Sequence, residues 1–128
     1  MTIRSARDLV TEASRTITTL TAAEAAQRAG KPDTVFVDIR EREELQRTGM
    51  VAGAIHAPRG LLEFYADPSS PNHMVALAPE RSLLLYCASG GRSALAAAAL
   101  SQMGFPHVAH VAGGFAALKA AGIRTMAP

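Results

Sequence analysis

Leu83-Leu84-Leu85-Tyr86-Cys87-Ala88-Ser89-Gly90-Gly91-Arg92-Ser93-Ala94-Leu95 is the stretch on which the fold turns. From Ser82 to Cys87 the chain is continuously apolar rather than alternating, which predicts a strand covered on both faces, as in parallel sheets. Small and glycine residues follow, and then a helix from Ser93 to Met103. Leu95, Ala99 and Met103 share one helical face, with Ala96 and Leu100 beside them. Gly104 closes that helix and Pro106 prevents its continuation. Strand, glycine turn and helix make one βα unit.

Working outward, the same alternation recurs. Thr34-Val35-Phe36-Val37-Asp38 reads as a second buried strand, Val108 to Val111 as a third and Ala54-Ile55-His56-Ala57 as a short fourth. Ile17 to Leu20 supplies an edge strand. Thr21 and Glu24 have capping-box spacing, predicting a helix that runs to Arg28 or Ala29 and stops at Gly30, with Pro32 beyond. A charged helix spans Glu41 to Arg47 and ends at Gly49; another spans Phe115 to Ala121 and ends at Gly122. Residues 5 to 15 suit an extra N-terminal helix. Pro58 to Pro79 is irregular and reads as a functional or variable surface loop. Alternating β and α elements predict an α/β sandwich with right-handed crossovers.

The 128 residues suit one domain. With 48% hydrophobic and 19% charged residues, the chain is expected to fold around a real core. Thirteen basic and eleven acidic residues leave a net charge of +2, and no Lys/Arg run or arginine-rich arm is present, so nucleic acid is not an expected partner. Neither a secretory signal nor a membrane span is expected, and the expected location is cytoplasmic. Cys87 is the sole cysteine. That excludes a disulfide scaffold and a cysteine-based zinc cluster.

The strand delivers Cys87 to its C-terminal end, where open α/β sheets place their sites. Gly90 and Gly91 can take the positive φ that a tight curl needs. Such a loop turns successive N–H groups inward as an anion-binding nest, and the following helix adds partial positive charge. A sulfur held there is stabilised as thiolate, the nucleophilic form, without an adjacent histidine base. Arg92 adds a cation able to orient an anionic substrate. A lone cysteine after an apolar strand is more often plain core; the glycine pair, the arginine and the helix together reverse that reading. Four residues separate Cys87 from Arg92. Cysteine phosphatases use five, so the tighter ring favours a persulfide over a phosphate ester.

The chain resembles the rhodanese family, specifically its single-domain members. The loop Cys87-Ala88-Ser89-Gly90-Gly91-Arg92-Ser93 is similar to the family's active-site loop. Val37-Asp38-Ile39-Arg40 with Glu44 is similar to its first signature, and Gly49 to Pro58 to the next. Val111-Ala112-Gly113-Gly114-Phe115 matches its C-terminal Gly-Gly turn. Met50, Ala52 and Ala117 depart from the pattern, and Ala117 is expected to loosen its corner. The resemblance implies a rhodanese-like three-layer α/β/α fold with a central parallel five-stranded sheet. Residues 1–15 would be a helical extension and residues 16–128 a single rhodanese-like domain.

It also implies a thiosulfate sulfurtransferase. Cys87 would take sulfane sulfur from thiosulfate or a related small anionic donor and pass it, as a persulfide, to cyanide, a small thiol or a protein thiol. Ala88, Ser89, Gly90, Gly91, Arg92 and Ser93 would surround the substrate. No metal or organic cofactor is implied. The alternative is a non-catalytic rhodanese-like module that binds a partner or senses oxidants through an exposed, low-pKa thiolate.

Supporting residues have two readings each. Asp38 and Arg40 either back the site, the carboxylate anchoring loop N–H groups or Arg92, or form a structural ion pair or helix cap. Arg59 is either a second pocket cation or a surface arginine beside Pro58. Glu44 is expected to be solvated or structural. Ser89 and Ser93 offer hydroxyl donors near the sulfur but are also ordinary helix-start residues. His56, His107 and His110 are expected at the core edge or surface, and His73 in the loop.

Overall fold

The computed structural model describes residues 2–128. Five strands, β1 (Thr18–Leu20), β2 (Thr34–Asp38), β4 (Ile55–His56), β5 (Ser82–Tyr86) and β6 (Val108–Val111), form one parallel sheet in the order β1-β6-β5-β2-β4. The central strand β5 pairs with β2 and β6 along its two edges, helices cover both faces of the sheet, and Leu83, Leu84, Leu85 and Tyr86 are all buried. This is the physical cause of its unbroken apolar run.

Six helices connect or flank the strands: α1 (Ala6–Ser14), α2 (Ala22–Ala26), α3 (Arg42–Thr48), α4 (Leu62–Ala66), α5 (Gly91–Met103) and α6 (Gly114–Ala120). On one face Val35, Val37, Leu83 and Leu85 pack with Leu62 of α4 and Ala96, Ala97 and Leu100 of α5. On the other, Phe36, Leu84 and Val111 pack with Ala25 of α2 and Phe115 and Leu118 of α6. The result is the three-layer α/β/α architecture. Among the described residues no helix is long and apolar enough to cross a membrane.

Several local expectations change. The buried residues of α5 are Ser93, Ala94, Ala96, Ala97 and Leu100; Leu95 and Ala99 are half-buried and Met103 is exposed. The helix is sandwiched: its second side borders α1, where Leu95, Ala98 and Ala99 line a groove with Leu9 and Ala13. A helix covered on two sides has no single apolar stripe to read. The capping box of α2 forms as expected, but the helix ends at Ala26 and the chain reaches Gly30 through turns. The irregular stretch 58–79 contains a 3-10 turn (Arg59–Leu61) running into α4, whose Leu62 and Ala66, four apart, are fully buried. Two further strands, β3 (Met50–Val51) and β7 (Thr125–Met126), pair antiparallel. Both are too short to show a periodicity.

Candidate active site

Cys87 follows β5 directly, at the C-terminal edge of the sheet. The Gly90 N–H donates to its Sγ at 3.1 Å, and Gly90 reaches this position with φ +117°. Gly91 takes no positive φ; it opens α5 with ordinary helical geometry. Burial opposes ionisation of the thiol, but the Ser93 hydroxyl and the backbone N–H groups of Ser93, Gly90 and Ser89 outweigh it and bring the thiol below its usual range. Cys87 is 1% exposed, so the expected exposed sensor thiolate is not what folds. The sulfur lies at the floor of the loop, where the helix N-terminus points.

The second Gly-Gly turn supports this loop from behind. The Phe115 N–H donates to the Cys87 carbonyl at 2.8 Å. Gly114 sits so close that a Cβ there would fall 2.4 Å from the Cys87 carbonyl oxygen and 2.6 Å from the Ala88 carbonyl. The corner next to Ala117 is closed, because a Cβ on Gly113 would lie 2.7 Å from that of Ala117.

Arg92 reaches 48 residues back in the chain to Glu44, with Nη1 on Oε2 and Nη2 on Oε1, each at 2.8 Å. Glu44 Oε2 also accepts the Glu41 N–H at the start of α3. The Arg92 fork holds the Glu44 carboxyl down at about 2. Arg92 is therefore a clamped, charge-compensated cation at the rim rather than a free anion hook.

Asp38 and Arg40 form a buried ion pair. Arg40 Nε and Nη2 donate to the Asp38 carboxylate at 2.8–3.2 Å, Nη1 donates to Thr48 Oγ1 at 2.8 Å, and Nη2 also donates to the Gly49 carbonyl at 2.8 Å. The guanidinium lies 4.3 Å from the Phe115 ring centroid, and that ring stacks on Tyr86. Of the two readings offered by the sequence, the structural pair is the one observed: the carboxylate anchors Arg40, not Arg92 or the loop. A cavity of about 270 Å³ opens beside the loop, lined by Arg40, Thr48, Ala88, Phe115, Ala116 and Lys119. A larger groove of about 580 Å³, bordered by Ala26, Val51 and Ile123, includes none of the loop residues.

The profile of the rhodanese-like domain family matches residues 21–121. The chain belongs to the rhodanese-like family. A sulfurtransferase of Allochromatium vinosum is similar to this rhodanese-like chain at 33% identity over 100 residues, covering 78% of this chain and 85% of the relative. A structure from Rhodopseudomonas palustris, of a protein of unknown function described as a possible tyrosine phosphatase, superposes with TM-score 0.92 at 40% identity over 98% of each chain. The polysulfide-sulfur transferase homodimer of Wolinella succinogenes gives TM-score 0.75 at 25% identity, over 94% of this chain and 85% of that one.

In this rhodanese-like domain Arg59 is not brought to the cysteine loop. It pairs with Glu63 at 2.8 Å and lines the groove beside Leu9, Glu12 and Leu95, because the 3-10 turn after β4 carries it to the α1–α5 side. Ser93 is buried and borders the sulfur, with Oγ 3.6 Å from Sγ. His110, read as core edge, lies behind that hydroxyl: its Nδ1 is 3.0 Å from Ser93 Oγ. The two-residue strand period puts its side chain on the face of Val108, and the packing of α5 decides what it meets there. Among the described residues no group of three or more His, Cys, Asp or Glu is arranged to hold a metal ion.

Proposed function

We propose that the protein is a sulfurtransferase carrying sulfane sulfur on Cys87 as a persulfide. The donor is thiosulfate or a related small anion, and the acceptor is cyanide, a small thiol or a protein thiol. The observation that carries this reading is the polar seat of the sulfur: the Gly90 N–H donates to Cys87 Sγ at 3.1 Å, and the Ser93 hydroxyl lies 3.6 Å from it. It stabilises the attacking thiolate and, in the second half-reaction, the same thiolate as leaving group. The thiolate attacks the outer sulfur of thiosulfate; a new S–S bond forms and sulfite departs with the electron pair. The acceptor nucleophile then attacks the outer sulfur of the persulfide, and the Cys87 thiolate departs with its pair. No external oxidant is needed. A nearly buried sulfur at the floor of a short loop favours a small donor. A lone thiol that must stay reduced suits a cytoplasmic location.

The described possible phosphatase activity of the R. palustris protein supplies a second reading, against which the four-residue spacing argues. Intact-mass measurement after thiosulfate treatment tests both. The expected result is a gain of one sulfur atom, removed by cyanide and absent in Cys87→Ser, whose circular dichroism is unchanged. Hydrolysis of p-nitrophenyl phosphate with no sulfur gain would replace this reading by the phosphatase one.

A further inference from the structure

His110 is an ionisable group beside the nucleophile that takes no part in the sulfur chemistry above. It is 5% exposed on β6, on the same sheet face as Val108 and as Leu85, its partner in register on β5. Its Nδ1 lies 3.0 Å from Ser93 Oγ, and that oxygen is also 3.6 Å from Cys87 Sγ and 3.1 Å from the Gly90 carbonyl oxygen. A hydroxyl has one proton and two lone pairs, so its orientation depends on its neighbours. A bare Nδ1 is a strong acceptor and draws the Ser93 proton away from the sulfur. A protonated Nδ1 instead donates to Oγ and leaves the hydroxyl proton to the Gly90 carbonyl or the sulfur, and the charge of a thiolate wins it over the neutral carbonyl. No sealed-off side-chain nitrogen or oxygen among the described residues lacks a partner; Nε2 has none among them, so it lies at the part of His110 that solvent reaches.

We propose that His110 is a positioning residue for Cys87, acting through Ser93: Nδ1–H sets the hydroxyl so that its proton bonds the thiolate sulfur. This rests on the reading of Cys87 as the nucleophile. Thiol and thiolate then differ by a reversal along the chain of hydrogen bonds. In the thiol, S–H donates to Oγ, Oγ–H donates to Nδ1, and Nε2 carries the ring proton. On ionisation the sulfur's proton passes to Oγ, the hydroxyl proton passes to Nδ1, and the Nε2 proton leaves to water. One proton is released and nothing is oxidised. The groups facing His110 are Ser93 from α5, Leu85 from β5 and Thr19 from β1, none charged; Cys87, just after β5, is reached through Ser93. Burial holds the imidazole below its ordinary value and so favours the neutral ring, and the relay runs between its two neutral tautomers.

The test is the pH dependence of Cys87 alkylation by iodoacetamide, which needs no sulfur donor and so stands or falls apart from the choice of thiosulfate. His110→Leu and Ser93→Ala are each expected to raise the midpoint by about one pH unit, slowing alkylation about tenfold below it. The double variant should go no further than Ser93→Ala alone, because both act through one hydroxyl. His110→Asn, whose side-chain amide can donate from the place of Nδ1, should restore the wild-type midpoint. An unchanged midpoint in His110→Leu, or additive shifts in the double variant, would overturn the proposal. Should His110→Leu not fold, the imidazole ¹⁵N resonances of the wild-type protein decide. Nδ1–H above the Cys87 midpoint and Nε2–H below it support the relay; one tautomer throughout overturns it.

Discussion

Glu44 illustrates how one side chain serves two elements. Its carboxylate receives the Glu41 N–H at the start of α3 and both terminal nitrogens of Arg92 at the start of α5. Its pKa is lowered from 4.5 to about 2 in the folded protein, with the Arg92 hydrogen bonds the largest cause. A depressed folded value means the contribution is fully present above about 4.5 and is lost as pH falls toward 2. The Arg92 side chain is 40% exposed, so solvent screens the pair and its worth stays near the surface range. Glu44→Gln is expected to cost about 1 kcal/mol at pH 7 in urea unfolding, with the difference from wild type shrinking as pH falls through 3. An equal difference at both pH values would sink this account. The cysteine loop itself was legible because its chemistry lies in seven consecutive residues. The partner of Arg92 was not, because it lies 48 residues away and nothing local distinguishes Glu44 from other surface acids.

At the scale of elements, the two glycine turns interlock. Gly114 at φ +60° lies against the Cys87 and Ala88 carbonyls, whereas Gly30 at φ +80° has nothing within 4 Å of a Cβ position. Gly30→Ala should cost about 1 kcal/mol from backbone strain alone and leave sulfur uptake unchanged. Gly114→Ala adds a clash to the same strain, is expected to cost about 3 kcal/mol, and should displace the cysteine loop. Urea midpoints together with the rate of sulfur gain at Cys87 check the pair; equal losses in the two variants would remove the buttressing role. The five strands of the parallel sheet and helices α3 and α5, each closed by a glycine, were readable from short-range patterns. The buried face of α5 differs from the expected Leu95–Ala99–Met103 face because its alanine-rich surface is covered by both the sheet and α1. Helix α4 was missed because five residues between turns carry too little periodicity to separate from loop.

Across the whole molecule, the Asp38–Arg40 pair joins regions distant in sequence. Arg40 is 2% exposed and Asp38 fully buried at the end of β2; the guanidinium reaches Thr48, the Gly49 carbonyl and the face of Phe115. Asp38→Asn leaves a buried arginine without its countercharge, with an expected cost of about 3–5 kcal/mol. A loss below about 1 kcal/mol in urea unfolding would show that water reaches the pair. The amino-acid sequence by itself determined the α/β alternation, the parallel sheet and the cysteine–glycine loop. Each of these rests on neighbours in the chain: period, caps, turn residues and contiguous motif. Tertiary structure alone decided that Arg92 is clamped by Glu44, that Asp38 serves Arg40, that Arg59 faces the α1–α5 groove, and that His110 stands behind Ser93. Those assignments depend on which side chains the sheet order and helix packing bring within hydrogen-bond distance, and such proximity between distant segments leaves no mark in local sequence.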